Sequence, residues 1–252
     1  MNDLHVSKLT SKNRLKQVEE QFRSWELADG KSLVSRTAKG TRFVTISREY
    51  GCAGFRIGDT LTEVLNSDLP PGQPKWTVYD RKLVDEVCHC HSLSRVLVES
   101  LDEQRKYPFS DYITGLFTGE PSTIQIFKKC AESIFQLASN GRVILIGRAS
   151  SLITNKLTGG LHVRIIAPLE WRVKQVAAFE NISRLEDARK LVEKMDKERG
   201  KYAKDFLGKN LKDPAHYDLI FNQQTLGVEG IVQLILQAMA VKQSSTGQTA
   251  LR

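Results

Sequence analysis

Several familiar signals are missing from this chain. Four cysteines in 252 residues do not make the disulfide framework of a small secreted domain, so reduced thiols and a cytoplasmic location are expected. The opening stretch MNDLHVSKLTSKNRLKQ has no apolar core and no small-residue cleavage site, which argues against a secretory signal. No uninterrupted apolar run approaches the roughly 18 residues of a membrane span, so no membrane partner is expected. Internal repeats and low-complexity blocks are lacking too. Aromatic residues amount to 8% and are sparse among the basic clusters. With no recognition motif beside them, nucleic acid is not expected as a partner. Cys88-His89-Cys90-His91 resembles a metal tetrad, but on a helix only Cys88 and His91 share a face. No second pair with zinc-like spacing completes the set, so half-buried helix positions are favoured over a metal site.

What remains is ordinary for a soluble globular chain: 40% hydrophobic and 26% charged residues, in a length that buries a full core as one large α/β domain or as one domain with appendages. Lys and Arg number 37 against 29 Asp and Glu, a formal charge of +8, which favours anionic partners. Residues 1–40 are polar and basic. Leu15, Val18, Phe22 and Trp25 recur there at helical spacing, predicting an amphipathic helix that docks on the body or, alternatively, serves as a partner-binding arm.

Five short β-rich runs follow: RFVTIS (42–47), KWTVYD (75–80), RVILIG (142–147), LHVRIIA (161–167) and YDLIFN (217–222). Several are apolar at successive positions, as in strands covered on both faces. Helical patterns lie between them at 57–65, 82–98, 122–138, 170–179 and 185–204, and another closes the set at 228–241. Strands alternating with helices predict a parallel sheet with helices on both sides. The expected organisation is a helical extension and linker (1–40), one domain (41–241) and a frayed tail (242–252).

The chemistry gathers first at RFVTISREYGCAGFRIGDTLTEVL, residues 42–65. A strand, a glycine-containing turn and a helix can aim main-chain N–H groups at phosphate. The spacing is not G-x-x-x-x-G-K-[ST], and the usual lysine is absent, so by pattern alone an ordinary turn is the favoured reading.

Five stretches in order shift that balance. VTISREYGCAGFRIGDTLTEVL resembles the opening of the cytidylate kinase-like family, a strand followed by Ser-Arg-Glu-x-Gly-Ser-Gly-Gly and a helix. VYDRKLVDEV (78–87) resembles its Tyr-Asp-Arg segment, and VILIGRASSLI (143–153) its Gly-Arg segment. LHVRIIAPLEWRVKQV (161–176) resembles the strand and arginine helix that follow. KMDKERGKYAKDFLG, with YDLIFNQQTLGVEGIVQLI, resembles the lid and the last strand and helix. The resemblance covers about residues 42–240. It implies a three-layer αβα P-loop NTPase fold, a five-stranded parallel sheet with a helical lid at about 185–212. The implied activity is phosphate transfer from ATP with Mg²⁺ to a nucleoside monophosphate, CMP or dCMP first. A catalytically impaired nucleotide-binding module and a kinase of another small acceptor are the alternatives. Nucleotides are the implied partners, and a homo-oligomer is compatible with the pattern.

The resemblance marks Ser47, Gly51, Cys52, Ala53, Gly54, Phe55 and Arg56 as the phosphate loop. Cys52 and Ala53 depart from the family's Ser-Gly: a thiol replaces a hydroxyl, and Ala53 would be strained if its position needs positive φ. Arg48 is the candidate to replace the missing lysine, unless it pairs on the surface with Glu49 or Asp59. Arg148, directly after a buried-looking strand, suits bidentate contact with a monophosphate, the alternative being a helix-capping loop arginine. Asp80 and Arg81 fall in the acceptor segment, although Asp80 could simply cap the next helix. Residues 189–212 hold nine Lys or Arg against four Asp or Glu. A solvated helix face is one reading. In the lid reading, Arg199 reaches the transferring phosphoryl group, helped by Lys197 or Lys201 and oriented by Asp196. Arg172 lies near the nucleotide base or lid hinge, or else forms a salt bridge to Glu170 or another neighbour. His162 and His216 read as structural. No protein side chain is assigned as a direct metal ligand.

Overall fold

The computed structural model describes residues 11–29, 41–67, 69–89 and 121–245. Five strands form one sheet: β1 (Phe43–Arg48), β2 (Thr77–Tyr79), β3 (Val143–Ile146), β4 (Gly160–Ile166) and β5 (Leu219–Asn222). Their order is β2-β3-β1-β4-β5, with every pairing parallel. The helices are α1 (Ser11–Asp29), α2 (Gly54–Ser67), α3 (Arg81–His89), α4 (Pro121–Asn140), α5 (Ser150–Ile153), α6 (Leu169–Phe179), α7 (Leu185–Leu207) and α8 (Gln223–Ser245). The fold is α/β, as expected. Residues 90–98 of the second expected helix and most of the expected tail lie outside the described residues, as do Cys90 and His91. The side chains of Cys88 and His89 are likewise not described.

Alternation along the strands builds the three layers, because successive side chains of a strand point to opposite faces. Phe43, Val143, Leu145 and Tyr79 face α1, α3 and α4 in one core. Val44, Ile46, Ile144, Ile146, Val163 and Ile165 face α2 and α8 in the other. Each such side chain contributes roughly 1.5–3 kcal/mol when fully buried. On the first face β4 departs from this pattern and carries His162 and Arg164. His162 Nδ1 lies 2.8 Å from Thr45 Oγ1, and burial pushes its pKa down to about 4.

Helix α1 docks, as its periodicity predicts. Val18, Phe22 and Trp25 are buried in the first core. Gln21 donates to the carbonyls of Lys75 (2.8 Å) and Arg142 (3.0 Å) and accepts from the Tyr79 hydroxyl at 2.6 Å. The other end of the chain differs from expectation. Helix α8 starts at Gln223, breaks at Gly227 (φ 66°, ψ −179°) and runs on to Ser245. Over Gln223–Lys242 its mean hydropathy is 1.3, enough by length and composition to cross a membrane. Its glutamines and glycines hide this from a search for uninterrupted apolar runs. In the fold, Val228, Ile231, Val232, Ile235 and Met239 are buried in the second core, while Leu226 and Val241 are exposed.

Candidate nucleotide site

The carboxyl ends of β1 and β3 open onto a cavity of about 250 Å³. Parallel α/β sheets bind ligands at this end, where the connecting loops diverge. Ser47 and Arg48 enter it from β1, Arg81 from the first turn of α3, and Gly147 to Ser151 from the turn after β3. Helix α7 closes the far side with Met195, Glu198, Arg199 and Tyr202, and Leu211 completes the wall. Four guanidinium groups thus meet one carboxylate at the lining, a field suited to a polyanion.

Each arginine is placed by a different device. Arg48 extends from the end of β1 across two glycines. A Cβ on Gly54 would lie 3.2 Å from its stem, and one on Gly147 would collide with its guanidinium. Arg148 is held by the turn itself, in which Gly147 (φ 78°), Arg148 (φ 52°) and Ala149 (φ 53°) are consecutively left-handed. For two non-glycine residues this costs of order 1 kcal/mol each, and such strain gathers at functional sites. Arg148 donates to both carboxylate oxygens of Asp85, and its guanidinium lies 5.4 Å from the centre of the Tyr202 ring. Burial opposes the charge of Arg148, but the hydrogen-bonded Asp85 carboxylate and its other neighbours outweigh it and hold the pKa above the ordinary value. Burial also pushes the Tyr202 hydroxyl up to about 12, so it stays protonated. Arg81 is more exposed, 3.9 Å from Asp85. Arg199 comes from α7 and donates to the carbonyl of Arg48 at 3.1 Å.

The phosphate-loop candidates lie beside the cavity and do not line it beyond Ser47 and Arg48. Gly51 (φ 94°) is pressed against α6, where an added Cβ would sit 2.8 Å from Arg172 Cβ. Cys52 and Phe55 are buried in the second core. Burial pushes the Cys52 thiol up to about 12, so it stays protonated and packs as a small apolar group. Ala53 is absent from the positive-φ residues, which removes the expected strain. Its N–H donates to Gln223 Oε1 at 2.7 Å. Gly54 N–H donates to the Cys52 carbonyl at 3.0 Å, and Cys52 N–H to that of Glu49 at 3.2 Å. Arg56 points outward to Glu229, 3.5 Å away.

Two other expectations, for Asp196 and for Lys197 or Lys201, are corrected, and the alternatives left open for Arg172 and Asp80 are decided. Asp196 does not orient Arg199: it accepts from Tyr50 N–H (2.7 Å) and from Arg172 Nη1 (2.6 Å). Arg172 does form salt bridges, as its alternative reading had it, but with neighbours other than Glu170, which takes Arg189. It is 6% exposed and joins Glu49 (3.3 Å) to Asp196 while donating to the carbonyls of Ala167 and Tyr50. Asp80 caps α3, accepting from Leu83 N–H at 2.8 Å, and is not at the cavity wall. Lys197 is exposed, and Lys201 pairs with Asp205 at 3.2 Å. Neither reaches the cavity lining.

Sequence reasoning missed Glu49, Arg164, Tyr202, Tyr217 and Gln223. Arg164, also 6% exposed, donates to Ser47 Oγ at 3.3 Å and lies 3.8 Å from Glu49. Tyr217 also reaches Ser47 Oγ, at 3.2 Å. A charged residue inside the apolar run LHVRIIA was the available signal for Arg164. Among the described residues no three His, Cys, Asp or Glu side chains cluster to hold a metal. The donor set therefore suits Mg²⁺ only in its usual state with nucleotides, ligated mainly by phosphate and water. Glu198 is the carboxylate at the wall.

A 2-3-1-4-5 parallel sheet, a β1–α2 loop and an arginine-lined cavity under a helical arm define a P-loop nucleotide-kinase-like protein. The chain belongs to the cytidylate kinase-like family, which it matches over residues 43–225. A cytidylate kinase of Methanocaldococcus jannaschii is 29% identical over 106 residues, 41% of this chain and 59% of that protein. A uronate isomerase of Corynebacterium glutamicum is 31% identical over 109 residues, 43% of this chain and 21% of that protein. The chain thus spans less than two thirds of either relative. The crystal structure of an uncharacterised protein from Eubacterium ventriosum superposes with a TM-score of 0.60 at 18% identity, covering 80% of this chain and 99% of that one. It shows the shared fold.

Proposed function

We propose that the chain transfers the γ-phosphoryl group of ATP to a nucleoside monophosphate, with CMP or dCMP as first acceptor. The observation that carries this reading is the convergence of Arg48, Arg81, Arg148 and Arg199, from four separate segments, on one cavity at the ends of β1 and β3. An acceptor phosphate rests against Arg148 and Arg81. Its oxygen attacks the γ-phosphorus, the bond from that phosphorus to the bridging oxygen breaks, and ADP leaves. Arg48 and Arg199 sit where the transferring group passes and offset its charge, which is most of what this chemistry asks of a protein. Ser47, held between Arg164 and Tyr217, offers a hydroxyl at the same wall. Mg²⁺ on the triphosphate would lie near Glu198 and supply further charge neutralisation. Coupled assays with ATP across CMP, dCMP, UMP and AMP test the reading, and no turnover with any acceptor would defeat it.

One observation favours a second reading, a nucleotide-binding module without transfer. The main-chain donors of Tyr50, Cys52, Ala53 and Gly54 are all engaged within the chain. Calorimetry separates the two: a module binds CMP or ATP while product formation stays at background.

A further inference from the structure

The arm formed by α6 and α7 has a small core of its own, and one member of that core comes from the loop after β1. Tyr50, 6% exposed, packs with Val173, Val176, Ala188 and Val192. Its hydroxyl reaches Glu180 at 3.4 Å, and the Arg199 guanidinium lies 5.1 Å from its ring centre. The main chain of the same residue is also held. Its N–H donates to Asp196 at 2.7 Å, and its carbonyl accepts from Arg172 at 2.9 Å. Three residues on, Ala53 N–H is taken by Gln223.

We infer that Asp196 is an internal anion that holds the donor-phosphate loop shut, and that the loop donors are released when a triphosphate displaces this side chain. The inference rests on the reading of residues 47–56 as the donor site. A carboxylate and a phosphate seek the same donors, main-chain N–H groups and guanidinium, and two anions at hydrogen-bonding distance repel. Asp196 and the donor's phosphates therefore exclude each other from this loop. Arg172 keeps Glu49 at 3.3 Å when Asp196 leaves, so release does not strand a buried cation. The Tyr50 ring inside the arm's core keeps the loop beside the arm while the Asp196 side chain swings away. The arm thus controls access to the loop as well as supplying Arg199.

The test uses the full chain, with AMP-PNP and Mg²⁺ as the triphosphate probe in titration calorimetry and amide hydrogen exchange of the ligand-free protein. Asp196→Asn removes the competing charge and is expected to bind the probe about tenfold more tightly. Gln223→Ala, on a different element, frees Ala53 N–H and is expected to tighten binding about threefold. It keeps the inference testable if the first variant fails to fold. Both variants should exchange faster over residues 49–54. Equal affinity in wild type and variants leaves the donor site standing and overturns the latch. Weaker binding by Asp196→Asn also overturns it, since Asp196 would then be serving the ligand. Failure of all three proteins to bind the probe overturns the latch together with the donor-site reading.

Discussion

Replacing Gly51 by alanine asks how tightly the loop is pressed onto the arm. Its φ of 94° and the 2.8 Å approach of a new Cβ to Arg172 Cβ act together. Positive φ alone costs a non-glycine residue about 1–2 kcal/mol. Overpacking against a neighbour that cannot retreat adds about 1–3 kcal/mol, and Arg172 is tied to Glu49, Asp196 and two carbonyls. The expected cost is therefore about 2–5 kcal/mol. Gly72 separates the two contributions, because its φ is 83° with nothing within 4 Å of a new Cβ. Gly72→Ala should cost only the backbone strain, about 1–2 kcal/mol, or roughly 2–8 °C in Tm for a domain of this size. Thermal or urea unfolding of the two variants side by side gives the difference. If Gly51→Ala costs no more than Gly72→Ala, the loop is not clamped against Arg172, and the packing account of the closed loop is wrong.

Arg148→Met should raise the acceptor KM by about 10- to 100-fold, the worth of one lost charge-assisted contact, as read from steady-state kinetics at saturating ATP. His162 binds its proton less readily folded, at about 4, than unfolded, at about 6.5. The unfolded state therefore takes up the extra proton between those values. Stability should be complete above pH 6.5 and fall by up to about 3 kcal/mol as pH drops to 4, and urea melts of His162→Gln should show a flatter dependence in that window. Gln21→Leu leaves the Tyr79 hydroxyl and two carbonyls without their partner, so it should cost about 2–4 kcal/mol in urea melts although residue 21 lies outside the family match. An unchanged midpoint would mean that α1 docks by its apolar face alone.

Much of the fold was legible because its signals are local. The apolar runs at 43–46, 143–146 and 161–166 are strands to within a residue or two, since burial on both faces demands near-continuous β-branched and apolar side chains. The last helix was expected to begin at 228, just past the kink at Gly227, and its first turn from Gln223 was not foreseen. The site was legible only as a set of residue types. Arg48, Arg148 and Arg199 do reach one cavity. The partners of Asp196 and Arg172 did not follow from spacing. Asp196 to Arg199 is one helical turn, yet Asp196 turns to Tyr50, 146 positions away, because a loop N–H and a buried guanidinium lie closer to it. Cys52 shows the same limit, since nothing in its neighbours along the chain says that it faces the core.

By itself, then, the amino-acid order determined the alternation of strands and helices, the docking face of α1 and the family to which the chain belongs. Each depends on patterns within a few residues or on their succession. Tertiary structure alone decided which charges pair, which loop donors are already taken and where the cavity opens. Hydrogen bonds and ion pairs act over about 3 Å, here between groups as far apart along the chain as Tyr50 and Asp196 or Ala53 and Gln223, and only folding determines which of them meet.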